Sequence, residues 1–237
     1  MLQSILGSLV LFVSLQVMAQ NTVVNDEVNI VQNIAEYEVI AVDYPPFTTM
    51  DADDYGINFS LLSQLISGFY DFKVKPIFLP PARAQLQVQS GHWCLSFFPP
   101  PESQQAYFVP LSQQKVVLGL FRLKESTPFS WDDLSELKGK SLAIMRYKRE
   151  GDFHRQFIHA GLNMVPIESV EQGFKMLKYK RVDLVFSNQF PDYLFKHPEI
   201  NSQDFQFSNT PILEAQVGVY INQACKEQYQ LLLPQPN

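Results

Sequence analysis

Two arginines hold the positions in this sequence best suited to grip an anion. Arg83 sits in Pro80-Pro81-Ala82-Arg83, where Pro81 suits the first turn of a helix over about 82–88. A cation at a helix N-terminus opposes the dipole. An anion shared between Arg83 and the free N–H groups would relieve that conflict. Arg146 and Tyr147 follow an expected strand at 141–145. Facing each other across a cleft, the two arginines would form a bidentate trap for a carboxylate or another anion. The competing reading is that Arg83 simply reaches solvent and that 146–149 is a solvated basic loop. Tyr44 and Phe47, in Tyr44-Pro45-Pro46-Phe47, would stack on an apolar or planar part of a ligand, or else pack as ordinary loop residues.

Other chemistries fail on spacing. Asp51-Ala52-Asp53-Asp54-Tyr55-Gly56 invites a calcium loop, but Tyr55 holds a ligand position and Leu62 stands where the final Glu belongs. His154 and His159 are five apart, which puts them on different helix faces, and His92-x-Cys94 has no partner pair at zinc spacing. No metal and no cofactor are expected. The sequence has no G-x-S-x-G, Walker A or G-x-G-x-x-G pattern. Asp43 and Glu102 are the only carboxylates expected near the cleft, and neither belongs to a catalytic pattern, so no enzyme activity is expected.

Composition narrows the class. The chain has 237 residues, a formal charge of −6 and 46% hydrophobic residues, enough apolar material for a full core and too little charge for disorder. Its acidic balance argues against binding nucleic acid. Residues 1–19 carry no charged side chain, and Val17-Met18-Ala19 precedes Gln20 as a signal-peptidase site would. That predicts a signal peptide over 1–19 and export to the periplasm. No Cys follows the apolar stretch to take a lipid anchor. Cys94 and Cys225 remain, and in an oxidising compartment such a pair can bridge; the alternative is two buried thiols.

Those side chains need elements to position them. Glu38–Val42 reads as a strand, Phe59 to Phe69 recurs at helical spacing, and Val74–Phe78 and Trp93–Phe98 read as strands around the short helix at 82–88. This is β-α-β-α-β, the sign of a parallel sheet with helices on its faces. Lys115–Phe121 is a long apolar strand. A second alternating set follows: a helix opening at Ser130 with Asp133, a strand at 141–145, a helix at 152–160, a strand at 164–167, a helix from Ser169-x-x-Gln172 to about Lys178, a strand at 182–187 and a short helix at 192–196. Strands near 205–208 and 216–221 close the chain. The expected fold is α/β with two lobes, each a mostly parallel sheet flanked by helices, joined by two hinge strands. Lobe one covers 20–113 and 216–237, and lobe two covers 114–215. A single continuous sheet holding both 38–42 and 182–187 would refute this two-lobe reading.

The chain resembles the bacterial extracellular solute-binding proteins of family 3. The likeness lies in Tyr44-Pro45-Pro46-Phe47 after the first strand, Gly56 before an apolar helix, Leu137-Lys138-Gly139-Lys140 before a strand, and Arg181-Val182-Asp183 leading into another. The resemblance implies a periplasmic protein, monomeric, that closes two lobes over a small polar solute and serves a membrane transporter or a sensor. Two departures stand out. The family's amino-acid binders carry an Arg after the third strand to clamp the ligand's carboxylate, where this chain reads Phe97-Phe98-Pro99-Pro100-Pro101. They carry an acidic residue after the Arg-Val-Asp strand to hold the ammonium group, where this chain has Asn188. The expected ligand is therefore small and polar or anionic but not a standard α-amino acid, with Tyr44, Phe47, Arg83, Phe98, Arg146, Tyr147 and Asn188 around it. The alternatives are a dehydratase-like enzyme on the same fold, or a sensory or partner-binding lobe whose pocket has decayed. In the resembled fold the return strand lies beside the third strand, which would bring Cys94 and Cys225 within bridging distance.

N-terminal sequencing of the exported protein should begin at Gln20; protein that keeps Met1 would show that the leader is not cleaved.

Overall fold

A computed structural model of the chain describes residues 35–67, 72–147, 151–189 and 199–233. The expected leader over 1–19 and the expected helix at 192–196 lie outside these residues.

The first half runs β1 (Ala35–Ala41), α1 (Ile57–Ser67), β2 (Phe72–Phe78), α2 (Pro81–Gln89) and β3 (Leu95–Ser96), with β1 parallel to both β2 and β3. Alternation along β1 decides its packing. Val39 and Ala41 face α1, where Phe59, Leu62 and Ile66 are buried against them. Ile40 faces the other way, onto Ala84 and Val88 of α2 and onto Trp93. An isolated 11-residue helix such as α1 is marginal in water, so this burial holds it; a fully buried Leu or Phe contributes about 1.5–3 kcal/mol.

The second half repeats the scheme with β5 (Ser141–Met145), α3 (Asp152–His159), β6 (Asn163–Ile167), α4 (Val170–Lys178) and β7 (Leu184–Asn188), and β5 is parallel to β6 and β7. Leu142 and Ile144 pack towards Phe157 of α3, while Ala143 and Met145 pack towards Phe174 and Leu177 of α4. Asp183 ties the entry of β7 to the start of β5: its carboxylate accepts hydrogen bonds from Ser141 N at 2.7 Å and Ser141 Oγ at 2.6 Å. Those bonds hold the Asp183 carboxyl below the usual range for an aspartate.

Two long strands join the halves. β4 (Ala106–Leu123) and β9 (Leu213–Asn222) are antiparallel, and β4 continues past β9 to pair with β7 and with β8 (Phe205–Phe207). The fold is the expected one, two α/β lobes joined by crossing strands. The ladder is continuous, however, in the order β2-β1-β3-β9-β4-β7-β5-β6, so β1 and β7 do share one sheet; as a criterion for refuting two lobes this is too strict, because the lobes form on a sheet that runs on through the crossing strands. The reason is that the crossing strands are hydrogen-bonded along both flanks: β9 also pairs with β3, and β4 also pairs with β7.

β4 starts nine residues earlier than its apolar run suggested. Pro110 and the polar Ser112–Lys115 segment hide a strand that bulges, since the register jumps from Pro110 opposite Gly218 to Lys115 opposite Gln216. The helix expected at Ser130 is instead a single 3₁₀ turn, Leu134–Leu137. Asp133 is its cap, bonded by Ser135 N, and Glu136 reaches back to the N–H groups of Asp132 and Asp133. No helix among the described residues is long and apolar enough to cross a membrane.

Two tethers fix the first lobe. Cys94 and Cys225 form a disulfide, with Cα atoms 5.5 Å apart, as the resemblance implied. The second tether is the start of α1. Its first N–H groups are received by the preceding loop: Ile57 N donates to Pro46 O at 3.1 Å and Asn58 N to Phe47 O at 2.8 Å. Gly56, at φ +95°, makes that approach possible, because a Cβ there would stand 2.8 Å from Pro46 O.

Thiol titration of the unfolded, unreduced protein should find no free thiol. Replacing both cysteines by Ser should destabilise by about 2–4 kcal/mol in denaturant melts, within the roughly 4–5 kcal/mol ceiling for so long a loop. Gly56→Ala should cost about 1–3 kcal/mol, from strain at positive φ and the loss of the loop's seat on α1; an unchanged midpoint would show that the seat is soft.

Candidate functional site

The cleft is built on the turn that follows β1. Thr48 is buried, and its hydroxyl donates to Val42 O at 2.6 Å while Tyr44 N donates to Thr48 O at 2.7 Å. The Pro45–Pro46 bond is cis. The turn stacks Tyr44 on Phe47, with ring centroids 6.3 Å apart and planes 24° from parallel. Because the same turn caps α1, it also brings Asn58 to the cleft.

The second lobe answers with rings. Tyr147, two residues beyond β5, lies 5.9 Å from Phe98 of the first lobe and 4.1 Å from the His154 ring of α3. Phe153 lies 5.2 Å from Phe186 of β7. Burial, and then the nearby Tyr44 phenol, push the Tyr147 hydroxyl up to about 12. Burial also raises Tyr44, whose hydroxyl lies against Ser187 and Asn188 of β7. That is proximity and not bonding: neither Tyr44 Oη nor Ser187 Oγ has a partner of good hydrogen-bond geometry.

Between these groups lies a cavity of about 330 Å³. Nine aromatic rings line it. The first lobe supplies Tyr44, Phe47, Phe97 and Phe98, the second supplies Tyr147, Phe153 and Phe186, and the crossing strands supply Phe108 and Tyr220. The crossing strands also form its floor, with Val116 and Leu118 of β4 and residues 215–218 of β9. The polar contributions beyond the three phenols of Tyr44, Tyr147 and Tyr220 are Thr48, Asn58 and Gln216. Among the described residues, no Asp, Glu, Lys, Arg or His lines it.

The structure brings four of the seven expected ligand residues together: Tyr44, Phe47, Phe98 and Tyr147. It does not bring Arg83 or Arg146 to the wall. Along α2 the buried positions are Pro81, Ala84 and Val88, so Arg83 projects outward and is exposed. Arg146 is exposed as well, and its guanidinium is paired with the Glu168 carboxylate just beyond β6. The expected anion trap is therefore corrected: one arginine is turned to solvent and the other is engaged elsewhere. Asn188 is buried in β7 opposite Leu118, behind Tyr44 and not on the wall.

The expected carboxylates also lie elsewhere. Glu102 is exposed. Asp43 lines a neighbouring cavity with Met50, Phe78, Leu79 and Glu168, where burial raises its carboxyl above the usual range. Sequence reading missed Phe108, Phe153, Phe186 and Tyr220, which look like core residues, and Asn58, whose type and position carry no signal of a site.

No protein-family model matches this chain, and no curated protein is found similar to it in sequence. Solved structures are similar to it in fold. The GluR0 ligand-binding core from Nostoc punctiforme, in complex with L-glutamate, has a TM-score of 0.63 at 14% identity, covering 83% of this chain and 91% of that one. Holo ArgBP from T. maritima has a TM-score of 0.62 at 16% identity, covering 83% and 87%. A putative L-cystine ABC transporter protein from Listeria monocytogenes has a TM-score of 0.65 at 13% identity, covering 84% and 87%. At such identities the likeness establishes architecture: the chain has the two-lobe fold of ligand-binding cores and solute-binding proteins.

Proposed function

We propose that this chain is a non-catalytic binding protein that encloses a small uncharged ligand between two lobes. The observation that carries this reading is the cavity wall, which both lobes and both crossing strands build and which bears nine rings and no charged side chain among the described residues. L-glutamate and arginine, the ligands of two of the similar structures, are charged at both ends. Enclosing a zwitterion requires a fixed cation and a fixed anion. This wall supplies neither, so the ligand differs from theirs, and the polar or anionic solute that the arginines suggested gives way to a neutral one. A volume of about 330 Å³ lies at the low end for small-molecule pockets and suits one or two rings. Among the described residues the wall carries no carboxylate, imidazole or amine to move a proton, which supports binding over catalysis.

In this reading the lobes divide near 114 and 215, at the bulge that follows Pro110 in β4. The leader exports the chain to the periplasm, and a membrane transporter or a sensor receives the closed form.

Thermal melts of the purified chain test this. A neutral aromatic probe such as p-cresol should raise the melting temperature in a concentration-dependent way, and free Glu or Arg should not. Ala215→Phe, which fills the floor, should abolish the p-cresol shift and leave the unliganded melt within a few degrees. Stabilisation by micromolar Glu or Arg without any response to p-cresol would overturn the proposal.

A further inference from the structure

Several polar atoms of the wall residues are committed or sealed. Thr48 donates to Val42 O at 2.6 Å, and Gln216 Nε2 donates to Ser112 O at 3.0 Å. Asn58 Oδ1 and Tyr44 Oη are buried away from the space itself. Tyr220 differs. It stands on β9 opposite Phe108, with ring centroids 5.0 Å apart, and it packs on the cluster of Ile40, Ala84, Val88 and Trp93. That base fixes the ring, and the residue lines the cavity with Phe98 and Gly218. Among the described residues its hydroxyl makes no hydrogen bond, and it is not one of the sealed atoms. Ser96, its partner on β3, is already engaged with Phe98, donating to its O at 2.7 Å and accepting from its N at 3.0 Å. Burial alone raises the Tyr220 hydroxyl above the usual tyrosine range, so it stays protonated and able to donate. Tyr147 is more enclosed, and its hydroxyl lies near the Tyr44 phenol.

We infer that the ligand is a neutral aromatic molecule bearing a carbonyl-type acceptor, and that Tyr220 selects it by donating its phenolic hydrogen to that acceptor. This rests on the reading of the cavity as an apolar, uncharged site. The rings supply offset-stacked and edge-on contacts to a flat ligand. They do not distinguish a hydrocarbon from a ketone of the same shape. Tyr220 does. A hydrocarbon that fills the cavity strips water from the phenol O–H and leaves the donor unmatched, whereas a carbonyl oxygen satisfies it. A phenol is a better donor than acceptor, because its oxygen lone pair is delocalised into the ring, so the match runs from protein to ligand. Selection therefore lies in one hydroxyl, and affinity lies in the rings.

The test titrates acetophenone and α-methylstyrene, its near-isosteric hydrocarbon with a methylene in place of the carbonyl oxygen, into the wild type, Tyr220→Phe and Tyr147→Phe by calorimetry. Tyr220→Phe should weaken acetophenone about fivefold or more and leave α-methylstyrene within about twofold. Tyr147→Phe should leave both within about twofold of the wild type. Retained α-methylstyrene binding shows that Tyr220→Phe has folded with its cavity intact. An equal effect of Tyr220→Phe on the two probes, a selective loss of acetophenone in Tyr147→Phe instead, or a wild type that binds only the hydrocarbon would overturn the selection by Tyr220 and leave the apolar cavity standing. Failure of both probes to bind the wild type would overturn the cavity reading and this inference with it.

Discussion

The antiparallel pairing of β4 with β9 is the constraint on which the rest of the structure depends. Residues 106–110 pair with 218–222, and after the bulge residues 115–118 pair with 213–216. One end of this ribbon is bonded into the first lobe through β3, and the other into the second through β7. Each lobe is thereby anchored to the same two strands, and the cavity floor is the ribbon itself. A β-ribbon twists but does not stretch, so the separation of the walls is set by backbone hydrogen bonds. Gly218 shows how tightly this floor is filled: a Cβ there would lie 2.3 Å from the Phe108 ring and 2.6 Å from Val109 O.

The two lobes then solve one problem twice. Each central strand, β1 and β5, is apolar on both faces, so each must be covered on both sides, and each chain segment supplies a helix for either face. The loops at the C-terminal ends of those strands are free of that duty. They carry Tyr44 and Phe47 in one lobe and Tyr147 in the other, and they meet over the ribbon. Aromatic side chains suit such a site because they bring large apolar area with few rotatable bonds.

Much of this was legible in the sequence. Strands β1, β2, β5 and β6, helices α1 to α4, and the stops at Gly91, Gly139 and Gly161, each at positive φ, follow from alternation, helical spacing and turn chemistry. What failed did so for physical reasons. The N-terminal half of β4 carries a proline and a polar bulge, which a periodicity reading takes for a loop. The arginines were placed correctly along the chain, but the face of α2 that turns inward is decided by Ala84 and Val88 packing beneath β1, and Arg146 is claimed by a carboxylate from a neighbouring strand end. The cavity wall was least legible. Phe108, Phe153 and Phe186 have the composition of a core, and only the three-dimensional arrangement shows that they surround a space.

The disulfide gives the chain an unusual connectivity. Cys94 stands just before β3 and Cys225 just after β9, 131 positions apart in sequence. Both crossing strands and the entire second lobe therefore belong to one covalently closed ring, with the remainder of the first lobe attached at its neck. A single cut anywhere in that ring opens it without dividing the molecule. The second lobe can thus sustain a nick in an exposed loop and stay joined to its partner by the sulfur bond, whereas a cut among residues 35–93 separates the chain into two pieces.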